Sequence, residues 1–192
     1  MGLEHRIILS WVETGSTVLE LGCGDGTLLS LLTDEKHVHA QGIEIDAKAV
    51  HECVAKGLSV FQEDIESGLS EYPDKSFDFT ILDQSLQQLK KPDHALKEAL
   101  RVGKKIIISF PNFAYYTVRF QILFGGKVPV TPALPHEWYE TPNLHFLSIS
   151  DFVEYCRKRG FKIEKSAFIR NEKVVRAAPN LLAELGLFLI SQ

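Results

Sequence analysis

The 192-residue sequence is short of cysteine, short of methionine and without a long apolar run, and each shortage removes a class of protein. Nothing in it approaches the roughly 20 consecutive apolar residues of a membrane helix. The three cysteines, Cys23, Cys53 and Cys156, are odd in number and match neither a zinc-ligand spacing nor a C-x-x-C pair. That pattern fits reduced thiols rather than a disulfide frame. No His, Cys or acidic cluster has metal-ligand spacing, so no metal is expected. Basic residues are not in excess: the net charge is −4, which argues against nucleic acid or an anionic membrane surface as partner. Repeats and low-complexity segments are missing. The opening residues Met1 to Arg6 carry charge early and no apolar signal core, and Arg6 stands where a myristoylation site needs Ser or Thr. One domain over 1–192 in the cytoplasm is the expectation, long enough to bury a sizeable core.

What is present is organised around Val18-Leu19-Glu20-Leu21-Gly22-Cys23-Gly24-Asp25-Gly26-Thr27. A buried strand runs into glycines at every second position and then into an apolar helix pattern, the opening of a nucleotide-binding βαβ unit. Glycine suits a tight turn that a ligand approaches closely. Two details separate the ligands. A dinucleotide fingerprint needs a third glycine where Thr27 stands, and Glu20, two residues before Gly22, would repel a pyrophosphate. A carboxylate there suits a nucleoside carrying a cationic amino group. The stretch resembles the first motif of class I methyltransferases that use S-adenosylmethionine (SAM), written D/E-x-G-x-G-x-G.

Further acids fall where such a ligand needs them. Glu44 ends the second apolar strand, 22 residues after Gly22, where an acid accepts both ribose hydroxyls; Ile45 follows it. Asp64, with Ile65 as apolar flank, follows the third strand and is placed for the adenine amine, although Asp is also a common helix N-cap. Asp83 and Gln84 follow the fourth strand and face the sulfonium or a substrate. The cofactor-binding set is therefore Glu20, Gly22, Cys23, Gly24, Gly26, Glu44, Ile45, Asp64, Ile65, Asp83 and Gln84.

Outside that set, apolar spacing predicts a helix over Leu3 to Val12 with Gly15 as its C-cap, and Pro92 opens another to about Val102. Residues 113–124 have helical apolar spacing, Ser150 caps a helix to Arg159, Phe161 to Ile169 is a strand, and Leu182 to Ile190 a last strand antiparallel to it. Pro129, Pro132, Pro135 and Pro142 make 125–145 an irregular lid. The lid offers His136, Tyr139 and His145 as candidate catalytic groups. The remaining histidines, His5 among them, read as surface or structural. Seven strands alternate with helices, an α/β fold with helices on both faces of a mostly parallel sheet.

A narrower resemblance lies in the second half. Ser109-Phe110-Pro111-Asn112-Phe113, Pro129-Val130-Thr131, Leu134-Pro135 and Trp138-Tyr139-Glu140-Thr141-Pro142-Asn143-Leu144-His145 look like the methionine-biosynthesis MetW family, as does Gln84-Ser85-Leu86-Gln87. The resemblance covers nearly the whole chain, and Asp83 departs from it where a small residue is expected. It implies strand order 3-2-1-4-5-7-6, SAM or S-adenosylhomocysteine (SAH) as ligand, and association with homoserine O-acyltransferase. Two functions stay open: a SAM- or SAH-binding subunit or regulator of that acyltransferase, or an active methyltransferase on a small molecule. A NAD-dependent oxidoreductase is disfavoured by Glu20 and Thr27.

Overall fold

Strands buried on both faces read as near-continuous apolar runs, and Phe77-Asp78-Phe79-Thr80-Ile81-Leu82 and Ile106-Ile107-Ile108-Ser109-Phe110 are such runs. In the computed structural model, which describes residues 1–192, they lie at the centre of one sheet. The parallel strands are β1 (Thr17–Leu21), β2 (His39–Glu44), β3 (Val60–Gln62), β4 (Phe77–Asp83) and β5 (Gly103–Pro111). Beyond β5 the sheet turns antiparallel with β6 (Lys162–Arg170), β7 (Lys173–Val174) and β8 (Leu185–Ser191). The order is 3-2-1-4-5-8-6-7: the expected arrangement, with the two-residue β7 added at the edge. A strand that short shows no period, so sequence pattern could not reveal it.

The helices are α1 (Leu3–Trp11), α2 (Thr27–Lys36), α3 (Ala47–Ala55), α4 (Ile65–Gly68), α5 (Pro92–Val102), α6 (Tyr116–Gly125), α7 (Ile149–Arg159) and α8 (Pro179–Leu182). Two cores separate by the pleat. Leu19, Leu21, Leu82, Ile106 and Ile108 pack with α5 and α7, while Val18, Phe79, Ile81 and Ile107 pack with α1 and α2. Side chains alternate between faces with period 2. One further step along each strand puts Glu20, Asp83 and Ser109 on the α1 face, at the carboxyl ends of β1, β4 and β5. The site begins with that row.

Local chemistry sets the helix ends. In α5, Ala95, Leu96, Ala99 and Leu100 recur at helical spacing and are buried, and Pro92 starts the helix. Two expected caps move. Val12, not Gly15, ends α1; Gly15 instead donates its N–H to Lys36 O at 2.9 Å. Ser148, not Ser150, caps α7, because Asp151 stands at N3 and completes a capping box by accepting the Ser148 N–H at 3.0 Å. Gly125, expected to open the lid, still belongs to α6, and residues 126–145 hold no regular element apart from an isolated bridge between Thr131 and Leu134.

Candidate functional site

A cleft of about 410 Å³ crosses the carboxyl ends of β3, β2, β1 and β4, where ligands sit in open parallel sheets. It is lined by Gly22, Gly24, Glu44, Ile45, Asp64, Ile65, Asp83 and Gln84, all read from the sequence. The glycine turn presents bare backbone to it. Gly24 has φ +53°, and a Cβ there would meet nothing within 4 Å. Gly26 is different. Its φ is +75°, and a Cβ would stand 2.5 Å from Leu58 Cδ1 and 2.8 Å from Cys53 Sγ. It serves close packing of the turn on α3 and the following loop, and does not line the cleft.

Cys23 does not offer its side chain either. The thiol is buried over Gly42, where a Cβ would come within 2.6 Å of it, and it hydrogen-bonds Cys53. Burial, then the neighbouring Glu20, pushes this thiol above its ordinary range, so it stays protonated. Asp64 lines the cleft and also caps α4, accepting the Glu66 N–H at 2.9 Å, so its cap reading holds. At the tip of β2, Glu44 accepts three backbone N–H groups, those of Gly24, Ile45 and Asp46.

The inner end of the cleft is acidic. Glu20 is 2% exposed, and its Oε2 has no hydrogen-bond donor. Burial first, then Asp83, Asp25 and Glu44, push its carboxyl well above the ordinary carboxylate range. Asp83 meets two residues of α1, Glu4 and His5. His5 Nε2 lies 3.2 Å from Asp83 Oδ2, Ser109 donates its hydroxyl to Asp83 Oδ1, and the Glu4 carboxyl faces Asp83. Burial opposes ionisation of Asp83, but the hydrogen bonds of His5 and Ser109 outweigh it and hold its carboxyl below the ordinary value. The bond to Asp83 raises His5 in turn. Gln84 turns the chain here in a left-handed conformation, φ 49°, that costs an ordinary residue about 1–2 kcal/mol. Its N–H bond to Ser109 Oγ at 2.9 Å and its side-chain bond to Glu4 Oε2 at 2.8 Å hold it there.

Glu4 and His5 were missed as site residues, and a signal for them existed. Glu4, Ile8 and Val12 lie at i, i+4 and i+8, as His5 and Leu9 lie at i and i+4, so both polar residues extend the buried stripe of α1. A carboxyl and an imidazole on an apolar stripe need partners. The lid candidates stand elsewhere. His136 and Tyr139 are exposed and do not line the cleft. His145 borders a different cavity of about 450 Å³ between α5 and α7, because its N–H and that of Leu144 are both held by Gln87 O. No titratable lid group is brought to the glycine turn.

A parallel sheet switching between β1 and β4, a glycine turn after β1 and acids at the tips of β2, β3 and β4 define a class I methyltransferase-type domain. Solved structures agree on the fold. A SAM-dependent methyltransferase from Archaeoglobus fulgidus aligns over 98% of this chain and 91% of its own, with TM-score 0.75 and 15% identity. A putative S-adenosylmethionine-dependent methyltransferase from Listeria monocytogenes aligns over 100% and 96%, with TM-score 0.73 and 16% identity. At such identities the likeness concerns the fold alone.

The family is narrower. The profile of "Methionine biosynthesis protein MetW" matches residues 3–190, and the chain belongs to the MetW family. The bifunctional methionine biosynthesis protein MetXA/MetW of Rhodopirellula baltica is 31% identical over 189 residues, 94% of this chain but 30% of that protein. The chain thus spans less than a third of that relative's length.

Proposed function

We propose that the cleft binds SAM or SAH, and that the protein works with homoserine O-acyltransferase in methionine biosynthesis as its SAM- or SAH-binding subunit or regulator. The observation that carries the ligand is Glu20: a carboxyl almost fully buried, with one oxygen lacking any donor, beside open glycine backbone. A buried polar atom without a partner costs about 1–3 kcal/mol, so such an atom favours a ligand that donates to it. The cleft is also graded. Ile65 and Leu89 accompany Asp64 at the β3 end, Glu44 stands at β2, and Asp83 lines the β1–β4 end with Glu20 buried near it. That order suits adenine, then a ribose diol, then the cationic amino acid portion. A pyrophosphate would meet carboxylates where it needs donors. Bound SAM supplies an activated methyl group; the residues here bind and orient.

The partner rests on the family, on the composite name of the Rhodopirellula relative and on an uncovered apolar face along α6 and the lid, with Phe124 75% and Trp138 69% exposed. Such patches mark interaction surfaces. Titration calorimetry with SAM, SAH and NAD, repeated with the acyltransferase, tests both parts. Binding of SAM or SAH but not NAD, changed in affinity by the acyltransferase, is expected; absence of any SAM or SAH heat would overturn the ligand reading. An active methyltransferase is the second reading. It is favoured by the His5–Asp83 pair: Asp83 lines the cleft, and His5, bonded to it, is a proton acceptor within one residue of that wall.

A further inference from the structure

Three carboxyls from three elements gather around Asp83 of β4, which lines the inner end of the cleft: Asp83 itself, Glu20 of β1 and Glu4 of α1. The pleat puts the two strand acids on the α1 face, and the first turn of α1 lays Glu4 and His5 against Asp83. Two of the three carry an unpartnered buried oxygen, Glu20 Oε2 and Glu4 Oε1. The other oxygen of Glu4 accepts from Gln84, and the remaining neighbours of its carboxyl are Ser109, whose hydroxyl is given to Asp83, and Asp83, itself an acceptor. Two facing acceptors are satisfied by one proton held between them. A positive charge beside Asp83 would do the same work as that proton.

We propose that Glu4, acting through Asp83, makes the cleft distinguish the cationic sulfonium of SAM from the neutral thioether of SAH, with entry of the sulfonium coupled to loss of the proton that Glu4 holds. This rests on the ligand reading given above. The groups facing Glu4 are Asp83 and Ser109 from the sheet, Gln84 after β4 and His5 on its own helix. Glu20 faces Asp83, Asp25 and Glu44. Burial, then Asp83, pushes the Glu4 carboxyl up to about 8, so near neutrality the empty protein carries this proton. Both ligands bring an ammonium, so whatever Glu20 releases is common to the two. Only the sulfonium differs between them, and its contribution belongs to the acids nearest Asp83. One proton released per ligand bound makes affinity rise about tenfold per pH unit, until the group is already ionised.

The test is calorimetry with SAM and with SAH between about pH 6 and about pH 9, in buffers of different ionisation enthalpy, which count protons. The α-amino group of either ligand titrates near about 8 as well, so the wild type is read against Glu4→Gln. That substitution keeps the shape and the acceptor for Gln84 and mimics the protonated acid. In the wild type, SAM should release more protons than SAH, and the ratio of SAM to SAH affinity should rise with pH and level off above about 8. In Glu4→Gln the excess release and the slope of the ratio should vanish while SAH still binds. Equal release by the two ligands, or an excess that survives Glu4→Gln and disappears only in His5→Gln, overturns the role of Glu4 and leaves the ligand reading intact. If neither ligand binds the wild type, both fall.

Discussion

Gly24 donates its N–H to Glu44 Oε2 at 2.9 Å, so the tip of β2 holds the glycine turn of β1 from the side. Oε1 of the same carboxylate accepts from Ile45 and Asp46 at 2.8 and 2.9 Å. The acid proposed to accept the ribose hydroxyls is also the strut that shapes the turn. Glu44→Ala should therefore weaken SAH binding by about 10- to 150-fold, from about 1.5–3 kcal/mol for hydrogen bonds to a charged group. It should also lower the urea midpoint. Unlike an ordinary ribose acid, Glu44 should not be rescued by Gln, whose single carbonyl cannot accept three N–H groups. Wild-type affinity in a folded Glu44→Ala protein would remove Glu44 from the ligand site.

Glu20 sets binding against stability. Its folded carboxyl is pushed up from the ordinary 4.5, so the folded state keeps a proton that the unfolded state gives up. For such a group stability is intact below the unfolded value and falls as pH rises above it. Glu20→Gln does not titrate. The variant without ligand should be as stable as wild type near about pH 4 and more stable near about pH 7, because unfolding the wild type there releases a proton that Gln does not have. Its SAM affinity should fall. Denaturant midpoints across that range would check the sign; a constant difference between the two proteins would show that Glu20 is not the titrating group.

The two glycines of the turn should separate in mutation. Gly26→Ala adds a methyl within 3 Å of Leu58 and Cys53 at a left-handed backbone, and should lower the melting temperature sharply. Gly24→Ala meets no neighbour and should fold with the cost of the left-handed conformation, about 1–2 kcal/mol. Its methyl points into open space, so SAH affinity should fall more than stability. Equal losses in both variants would mean that Gly24 serves the fold alone.

The turn and the acids at the strand tips were legible because each follows from a short-range rule, whereas the sheet order was legible only through the family resemblance. Glycine spacing gives the turn, an acid about 20 residues on gives the second strand tip, and apolar runs give the buried strands. The inner end of the cleft was not legible, since it depends on where α1 lands. Glu4 and Asp83 are brought together by tertiary packing, and no spacing rule links a first helix to the end of a fourth strand. The same limit applies to the lid. His136 and Tyr139 sit in a proline-rich loop that sequence marks as irregular, but its path is set by long-range contacts such as Gln87 O with the Leu144 and His145 N–H groups. The aromatics of residues 113–139 looked like one surface. In the structure Tyr115 is buried and Tyr116 accepts a hydrogen bond from Arg170 at 2.9 Å, whereas Phe120, Phe124, Trp138 and Tyr139 stay exposed.

That division sharpens the partner experiment. Phe120 and Phe124 stack at 5.5 Å along α6, and Trp138 lies edge-on to Tyr139 at 5.6 Å, all four exposed. Interface cores are enriched in such side chains, and a few anchors carry most of the binding energy. If homoserine O-acyltransferase docks here, Phe124→Ala or Trp138→Ala should weaken the complex by about 2 kcal/mol or more, roughly 30-fold. Melting temperature and SAH affinity should hold, since neither residue lines the cleft or joins a buried core. Tyr115→Ala is the contrasting variant: it empties a site in a small buried cluster with Val118 and Leu134, so it should lose stability first. Surface plasmon resonance with the acyltransferase immobilised reads the affinities, and thermal melts read the folds. Loss of binding only in Tyr115→Ala would assign the aromatics to folding. No association of the wild-type proteins at about micromolar concentration, a binding energy weaker than about 8 kcal/mol, would mean that the exposed face serves something other than this enzyme.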